Sequence, residues 1–249
     1  MIKHNIIILS GWGMPYMVWD QIYKLLSNNF NLAFVHWNDV DSLSSFKEKT
    51  KKIILERNFK SFSLLGWSLG SLVAQEIAHD MKSSIESIIL IGGTSSFVQH
   101  KEDKYISAWN KRFLEKMKCD ILNKDSESTL IKFNNNMFSK YEKEKSFDFQ
   151  VLEHLKKHIK EVSAASLIAG LDYLIQTDLR HNLSNLELPI LLIHGEMDII
   201  CPLEAGQYIK YNTENSDMII LKDAGHVPFF THAIDCYNII YNFMKENLQ

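Results

Sequence analysis

Six short, continuously apolar runs punctuate the chain, and stretches with a helical spacing of apolar residues separate most of them. The runs are Asn5–Leu9, Leu32–Val35, Ser61–Leu65, Ser87–Ile91, Pro189–Ile193 and Asp217–Leu221. They are rich in β-branched residues and, Ser63 apart, carry no polar residue between their ends, the pattern of strands buried on both faces. Helical periodicity covers Val18–Leu26, Leu43–Arg57, Leu69–Met81, Leu203–Tyr211 and Ala233–Met244. Strands alternating with helices give a parallel sheet covered on both sides, because a parallel pair needs a long crossover and the crossover helix packs back onto the sheet. With 249 residues, 46% of them apolar, the chain can bury one sizeable core.

The alternation stops between Phe97 and Leu186. No strand pattern appears there, and the apolar spacings Trp109/Phe113/Met117, Leu152/Leu155/Ile159 and Leu167/Leu171/Leu174 predict amphipathic helices. The expected organisation is a core of residues 1–96 and 187–249, interrupted after the fourth strand by a helical cap at 97–186. Ligands of open α/β sheets bind at the carboxyl ends of the strands. An insertion leaving the strand at Ile91 starts at that edge.

Lys+Arg of 27 against Asp+Glu of 30 leaves a formal net charge of −3, which argues against a phosphate-backbone binder, so no nucleic-acid partner is expected. Cys119, Cys201 and Cys236 are odd in number and widely spaced, unlike a disulfide framework or a zinc site. The apolar run Ile6–Leu9 is shorter than the ~7 residues of a signal-peptide core and the ~18 of a membrane span. A cytoplasmic protein without a membrane partner is the expectation.

Gly66-Trp-Ser68-Leu-Gly70 sits where a predicted strand turns directly into a predicted helix, and it matches G-x-S-x-G. Such a turn is strained and crowded, which calls for glycine at 66 and 70. It would hold Ser68 proud of the sheet at a helix N-terminus, where free N–H groups favour a developing oxyanion. A plain strand–helix turn with an N-capping serine fits these three positions as well. The other two members of a triad separate the readings. Asp198 in Gly195-Glu-Met-Asp198 and His226 in Gly225-His226-Val-Pro228 both follow predicted strands, and Ser68, Asp198, His226 is the chain order of a strand-borne Ser-Asp-His triad. Ser10-Gly-Trp12-Gly13 follows the first strand, placing the Trp12 and Leu69 N–H groups as candidate oxyanion donors. Asp223 and Glu196 are rival third members, and His232 is a rival base. His194 is expected to bond locally, and His154 and His158 to lie on a solvated helical face rather than hold a metal.

With these residues in view, the whole chain resembles the α/β-hydrolase superfamily, and within it the pimeloyl-acyl-carrier-protein methyl ester esterases of biotin synthesis. The resemblance rests on Gly11-Trp-Gly-Met14 with Val18-Trp19, on Leu65-Gly-Trp-Ser-Leu-Gly70, on Gly170-Leu-Asp-Tyr-Leu174 with Thr177-Asp-Leu-Arg180, and on Gly225-His-Val-Pro-Phe229. It implies a mostly parallel sheet; this chain departs from the family in that its first strand begins almost at Met1, so the antiparallel hairpin that usually opens the fold is expected to be missing, leaving about six strands. It implies Ser68 as nucleophile, His226 as base, Asp198 as orienting acid, and the Trp12 and Leu69 amides as oxyanion hole. It also implies a cap that contacts the acyl chain between Phe133 and Met137 and that docks an acyl-carrier protein. Where the family's cap is rich in arginine, this chain has Lys132, Lys143, Lys145, Lys156, Lys157 and Lys160 interspersed with Glu142, Glu144 and Glu153. Lysine can steer an acidic carrier by charge but lacks the bidentate fork of arginine.

The expectation is therefore a serine carboxylesterase that needs no metal or organic cofactor. It would act on a small acyl ester, with the methyl ester of pimeloyl-carrier protein preferred on resemblance. A general short-acyl esterase, thioesterase or carbon–carbon hydrolase on the same scaffold is the alternative, since fold and triad do not fix the substrate. A non-catalytic protein binding a small ligand under the cap is the alternative of another class.

Overall fold

In a computed structural model, residues 3–159 and 161–247 are described. Six strands, β1 (His4–Leu9), β2 (Phe30–Val35), β3 (Phe62–Trp67), β4 (Ile85–Ile91), β5 (Ile190–Gly195) and β6 (Ser216–Leu221), form one sheet in the order β2-β1-β3-β4-β5-β6. Every pairing is parallel. The helices are α1 (Asp20–Ser27), α2 (Leu43–Arg57), α3 (Leu69–Asp80), α4 (Lys111–Leu122), α5 (Ser126–Asn135), α6 (Lys140–Glu144), α7 (Phe147–His158), α8 (Ala164–Gln176), α9 (Leu203–Tyr211), α10 (Pro228–Thr231) and α11 (Ala233–Asn247). Each apolar run of the sequence became a strand, and α4 to α8 fill the interval between β4 and β5.

The central strands are largely buried, β3 and β5 at every residue, as continuous apolar runs require. The two edges depart from that expectation. β2 exposes Asn31 and half-buries Leu32 and Phe34, and β6 leaves Ile219 and Ile220 open at 40% and 46%. Each edge strand has a neighbour on one side only, so its outer margin lacks cover. α1 packs against α11 and α2 against α3, giving the helical layers over the sheet. Trp19, Trp67 and Phe229 are fully buried, with Trp19 stacked on Phe229 at 4.0 Å and Trp67 edge-on to Phe229 at 5.0 Å. Truncating one such aromatic to alanine would cost roughly 3–5 kcal/mol.

Connectivity decides where a site can form. From β1 the chain moves outward to β2 and then returns to β3 on the other side of β1, so its direction of travel across the sheet reverses between β1 and β3. Loops leaving two such strands diverge and open a crevice at their carboxyl ends. The Ser10–Gly13 loop leaves β1 there, and Ser68 follows β3, with Leu9 paired to Gly66.

Two helical expectations shift. Trp109 lies before α4 rather than in it, because the Asn110 side chain accepts from Arg112 N–H at 3.0 Å and caps the helix there. His158 is buried at 8% rather than solvated, while His154 on the same helix is exposed. The α7 face bearing Val151 and Leu155 turns inward, and His158 lies on that face.

Candidate active site

Ser68 joins β3 to α3 with φ 55° and ψ −118°, a conformation costly for a residue with a side chain. Close packing imposes it. A Cβ on Gly66 would stand 2.4 Å from Gly70 O, and one on Gly70 would stand 2.2 Å from Leu9 O, so strand and helix approach nearer than any other residue allows. Main-chain bonds hold the turn, with Ser68 N–H donating to Ile91 O at 3.1 Å and Ser71 N–H to Ser68 O at 2.9 Å. The elbow expected from Gly66 and Gly70 is thus a matter of backbone contact.

Asp198 and His226 come together at the same edge. His226 Nδ1 lies 2.7 Å from Asp198 Oδ2, both side chains fully buried. Asp198 Oδ1 accepts from the N–H groups of Ile200 (2.8 Å) and Cys201 (2.9 Å), leaving Oδ2 for the imidazole. The carboxylate is acceptor-only when ionised, so the ring must present Nδ1–H to it. Nε2 is then the acceptor, and it is buried with no partner among the described residues. The pair reaches the elbow through Gly92, next to the Ile91 carbonyl that holds Ser68. A Cβ there would lie 2.9 Å from His226 Nδ1 and 3.2 Å from Asp198 Oδ2. Trp67, adjacent to Ser68, donates its indole N–H to His226 O at 2.8 Å. No direct Ser68 Oγ–His226 hydrogen bond is formed among the described residues; in unliganded sites such contacts commonly tighten only with substrate.

The rival residues stand elsewhere. Glu196 is exposed, and its Oε2 meets Asp223 N–H at 3.4 Å. His232 Nδ1 bonds Thr231 Oγ1 at 2.9 Å. His194 is fully buried, with Nε2 on Cys201 O at 2.7 Å and 3.7 Å from Asp198 Oδ2. Burial pushes its pKa down, so it stands as a neutral neighbour of the pair. The Cys201 thiol is driven well above its ordinary value by burial and stays protonated. No group of three or more His, Cys, Asp or Glu that could hold a metal occurs among the described residues.

The main-chain N–H groups of Trp12 and Leu69 donate to no group among the described residues, and Leu69 opens α3 directly after Ser68. Trp12 is fixed by its indole N–H to Leu167 O at 2.9 Å and by an edge-on contact with Phe133 at 5.0 Å. Phe133 and Met137 are both buried, and the Met137 carbonyl accepts from His226 N–H at 2.7 Å.

Several residues at this edge were given no role there by the sequence patterning. Gly92, at φ +50°, makes room for the imidazole. Trp109 donates its indole N–H to Ile200 O at 2.7 Å, bracing the loop that bears Asp198. Glu142, expected among the mixed charges of the cap surface, is fully buried, because Ser139-x-x-Glu142 forms a capping box whose carboxylate turns inward. That S-x-x-E spacing was the available clue. Of the six lysines noted in the helical insertion between β4 and β5, Lys132, Lys143, Lys145, Lys156 and Lys157 are exposed, and Lys160 lies outside the described residues.

A strained serine elbow after the third strand of a parallel sheet, with an Asp–His pair in the loops after later strands, agrees with the sequence comparison: the chain belongs to the alpha/beta hydrolase fold family, whose profile matches residues 42–233. No helix among the described residues is long and apolar enough to cross a membrane. At the level of individual proteins, the chain is 29% identical over 248 residues to a pimeloyl-[acyl-carrier protein] methyl ester esterase of Wigglesworthia glossinidia brevipalpis, covering 97% of this chain and 94% of that one. It is 28% identical to the protein of the same name from Nitrosomonas europaea, covering 95% of each. Among solved structures it is similar to an esterase from Exiguobacterium antarcticum, with a TM-score of 0.88 over 98% of this chain and 92% of that one. At 19% identity that likeness speaks for the fold.

Proposed function

We propose that the protein is a serine carboxylesterase whose triad is Ser68, His226 and Asp198. The observation that carries this reading is the buried 2.7 Å contact between His226 Nδ1 and Asp198 Oδ2 beside a serine held at φ 55°. It fixes the tautomer that leaves Nε2 free to take the Ser68 proton. Ser68 Oγ then attacks the ester carbonyl, and the Trp12 and Leu69 N–H groups receive the negative charge on its oxygen. His226 returns the proton to the departing alcohol, and a water activated by the same nitrogen hydrolyses the acyl-enzyme. Every proton moves through one imidazole, so the chemistry requires no metal or organic cofactor.

For the substrate we propose the methyl ester of a pimeloyl-carrier protein, with residues 97–186 acting as the cap. The names of the two relatives support this choice. A cleft of about 190 Å³ supports it physically, since Trp109, Phe113, Met117 and Phe133 give it an apolar lining suited to an acyl chain. Lys116 and Lys132 also line it and would favour an acidic carrier at the cap. Phe133 joins this cleft to Trp12.

The test is hydrolysis of methyl pimeloyl-carrier protein beside a short p-nitrophenyl ester, by wild type and Ser68→Ala. Ser68-dependent turnover of the carrier substrate supports the full reading. Turnover of the small ester only would retain the triad and discard the carrier substrate. Turnover of neither, with no fluorophosphonate label on Ser68, would point to a binding role.

A further inference from the structure

Glu142 is a buried carboxylate to which the reaction above assigns no role. It lies in α6 with no solvent exposure. Its Oε2 accepts from Ser139 N–H at 2.8 Å and from Gly225 N–H at 3.0 Å, and its Oε1 accepts from the Thr231 hydroxyl at 2.5 Å. Gly225 immediately precedes His226, and Thr231 closes α10 behind it. One side chain therefore grips the segment bearing the imidazole on both flanks. Two neighbours of Glu142 bind the same segment, with the Met137 carbonyl accepting from His226 N–H at 2.7 Å and Ser139 Oγ donating to Asp223 O at 2.6 Å.

A helix start explains only part of this. The capping box accounts for the Ser139 bond, but Gly225 and Thr231 are 83 and 89 residues away in the chain. An isolated buried carboxylate is costly, and it becomes tolerable when donors fill its lone pairs. Here three donors do so, two of them on the segment around His226. An apolar side chain at 142 would instead leave the Ser139 and Gly225 N–H groups without that acceptor, each costing more than the mean worth of a hydrogen bond, while the Thr231 hydroxyl would keep Val227 O at 3.3 Å. His226 Nε2 has no partner of its own among the described residues, so the position of its ring depends on Asp198 and on the backbone around it.

We propose that Glu142 is a positioning residue for the Ser68 reaction, holding the segment from Asp223 to Thr231 so that His226 stays on Asp198 with Nε2 available for the serine proton. The inference rests on the triad assigned above. It also makes the helical insertion part of the catalytic frame, since three of its residues fix the backbone of the proposed base.

Glu142→Ala removes the acceptor, and Glu142→Gln restores it. With the amide oxygen at the Oε2 position both N–H donors remain paired, and the Thr231 hydroxyl can turn to accept from the amide NH2. Displacing a catalytic group by about 1 Å costs on the order of 10²-fold in rate. Glu142→Ala should therefore lower kcat about 30- to 100-fold with KM within about twofold, while Glu142→Gln stays within about threefold of wild type. The downfield proton resonance of the His226–Asp198 hydrogen bond should weaken in Glu142→Ala and persist in Glu142→Gln, whatever the nucleophile proves to be. A folded Glu142→Ala protein with wild-type kcat and an intact resonance would overturn the proposal. If that variant does not fold, Thr231→Val removes the Oε1 donor, together with the contacts of Thr231 Oγ1 to His232 Nδ1 and Val227 O, and leaves the Ser139 and Gly225 donors in place; a fall in kcat of at least about threefold at constant KM is expected. Unchanged kcat in Thr231→Val would then overturn it. Wild-type protein that takes no fluorophosphonate at Ser68 would refute the triad, and the resonance would still report on the Glu142 clamp.

Discussion

Replacing Ser68 by glycine and by alanine separates the strain at the elbow from the chemistry of its hydroxyl. Neither replacement should cost a hydrogen bond, because the bonds that hold the turn run through Ser68 N–H and Ser68 O, and none among the described residues uses Oγ. The backbone at φ 55° and ψ −118° is forced on any residue placed there. A side chain in such a region costs about 1–3 kcal/mol, a cost that alanine keeps and glycine removes. Glycine in turn gives the unfolded chain more freedom, which costs about 0.5–1 kcal/mol. The difference leaves Ser68→Gly more stable than Ser68→Ala by about 1 kcal/mol, or roughly 2–4 °C in melting temperature for a chain of this size. Both variants should lose fluorophosphonate labelling and ester turnover. Thermal melts and urea titrations of the two purified proteins measure the gap. A Ser68→Gly protein equal to or less stable than Ser68→Ala would refute the claim that the turn stores strain to present the serine.

Asp198→Asn should preserve stability yet lower kcat about 10⁴-fold, because the Ile200 and Cys201 N–H groups hold the amide oxygen at Oδ1 and turn the NH2 toward His226. The ring would then carry its proton on Nε2; kcat within tenfold of wild type would sink the tautomer argument. Gly70→Val should fail to fold or lose more than about 3 kcal/mol, since its Cβ would meet Leu9 O at 2.2 Å, and a denaturation midpoint equal to wild type would remove the elbow. Burial holds the imidazoles of His36, His158 and His194 below the ordinary value of 6.5. The unfolded chain then binds those protons more readily, so the stability these neutral rings contribute is present above about 6.5 and lost as pH falls toward the depressed folded values. Urea midpoints should decline from about pH 7 to about pH 5 and less steeply in His158→Gln; a rise would contradict the sign.

Much of this architecture could be read from spacing. The ranges 43–57 and 203–211 were expected as helices and are helices, because their apolar residues repeat with the helical period and are bounded by turn residues. The apolar runs of β1, β3, β4 and β5 lie in the middle of the sheet, where both faces are covered. The run at 217–221 has the same composition, yet β6 is an edge strand with two exposed isoleucines, and composition contains no term for a missing neighbour. Ser68, Asp198 and His226 were legible because each follows a strand within a short glycine-bearing motif, a local signature. Glu142, Gly92 and Trp109 were not, because what they touch is distant in the chain.

Local sequence thus determined the elements, their order and the kinds of residue offered at the carboxyl edge, because periodicity and turn chemistry act over a few positions. Tertiary structure decided the rest. The strand order set Ser68 beside the loop bearing Trp12, and Gly92 let the His226–Asp198 pair approach the elbow. It also turned one glutamate of a charged surface stretch inward onto the backbone of His226. Such outcomes depend on distances between segments far apart in the chain, and close packing fixes those only when the whole core assembles.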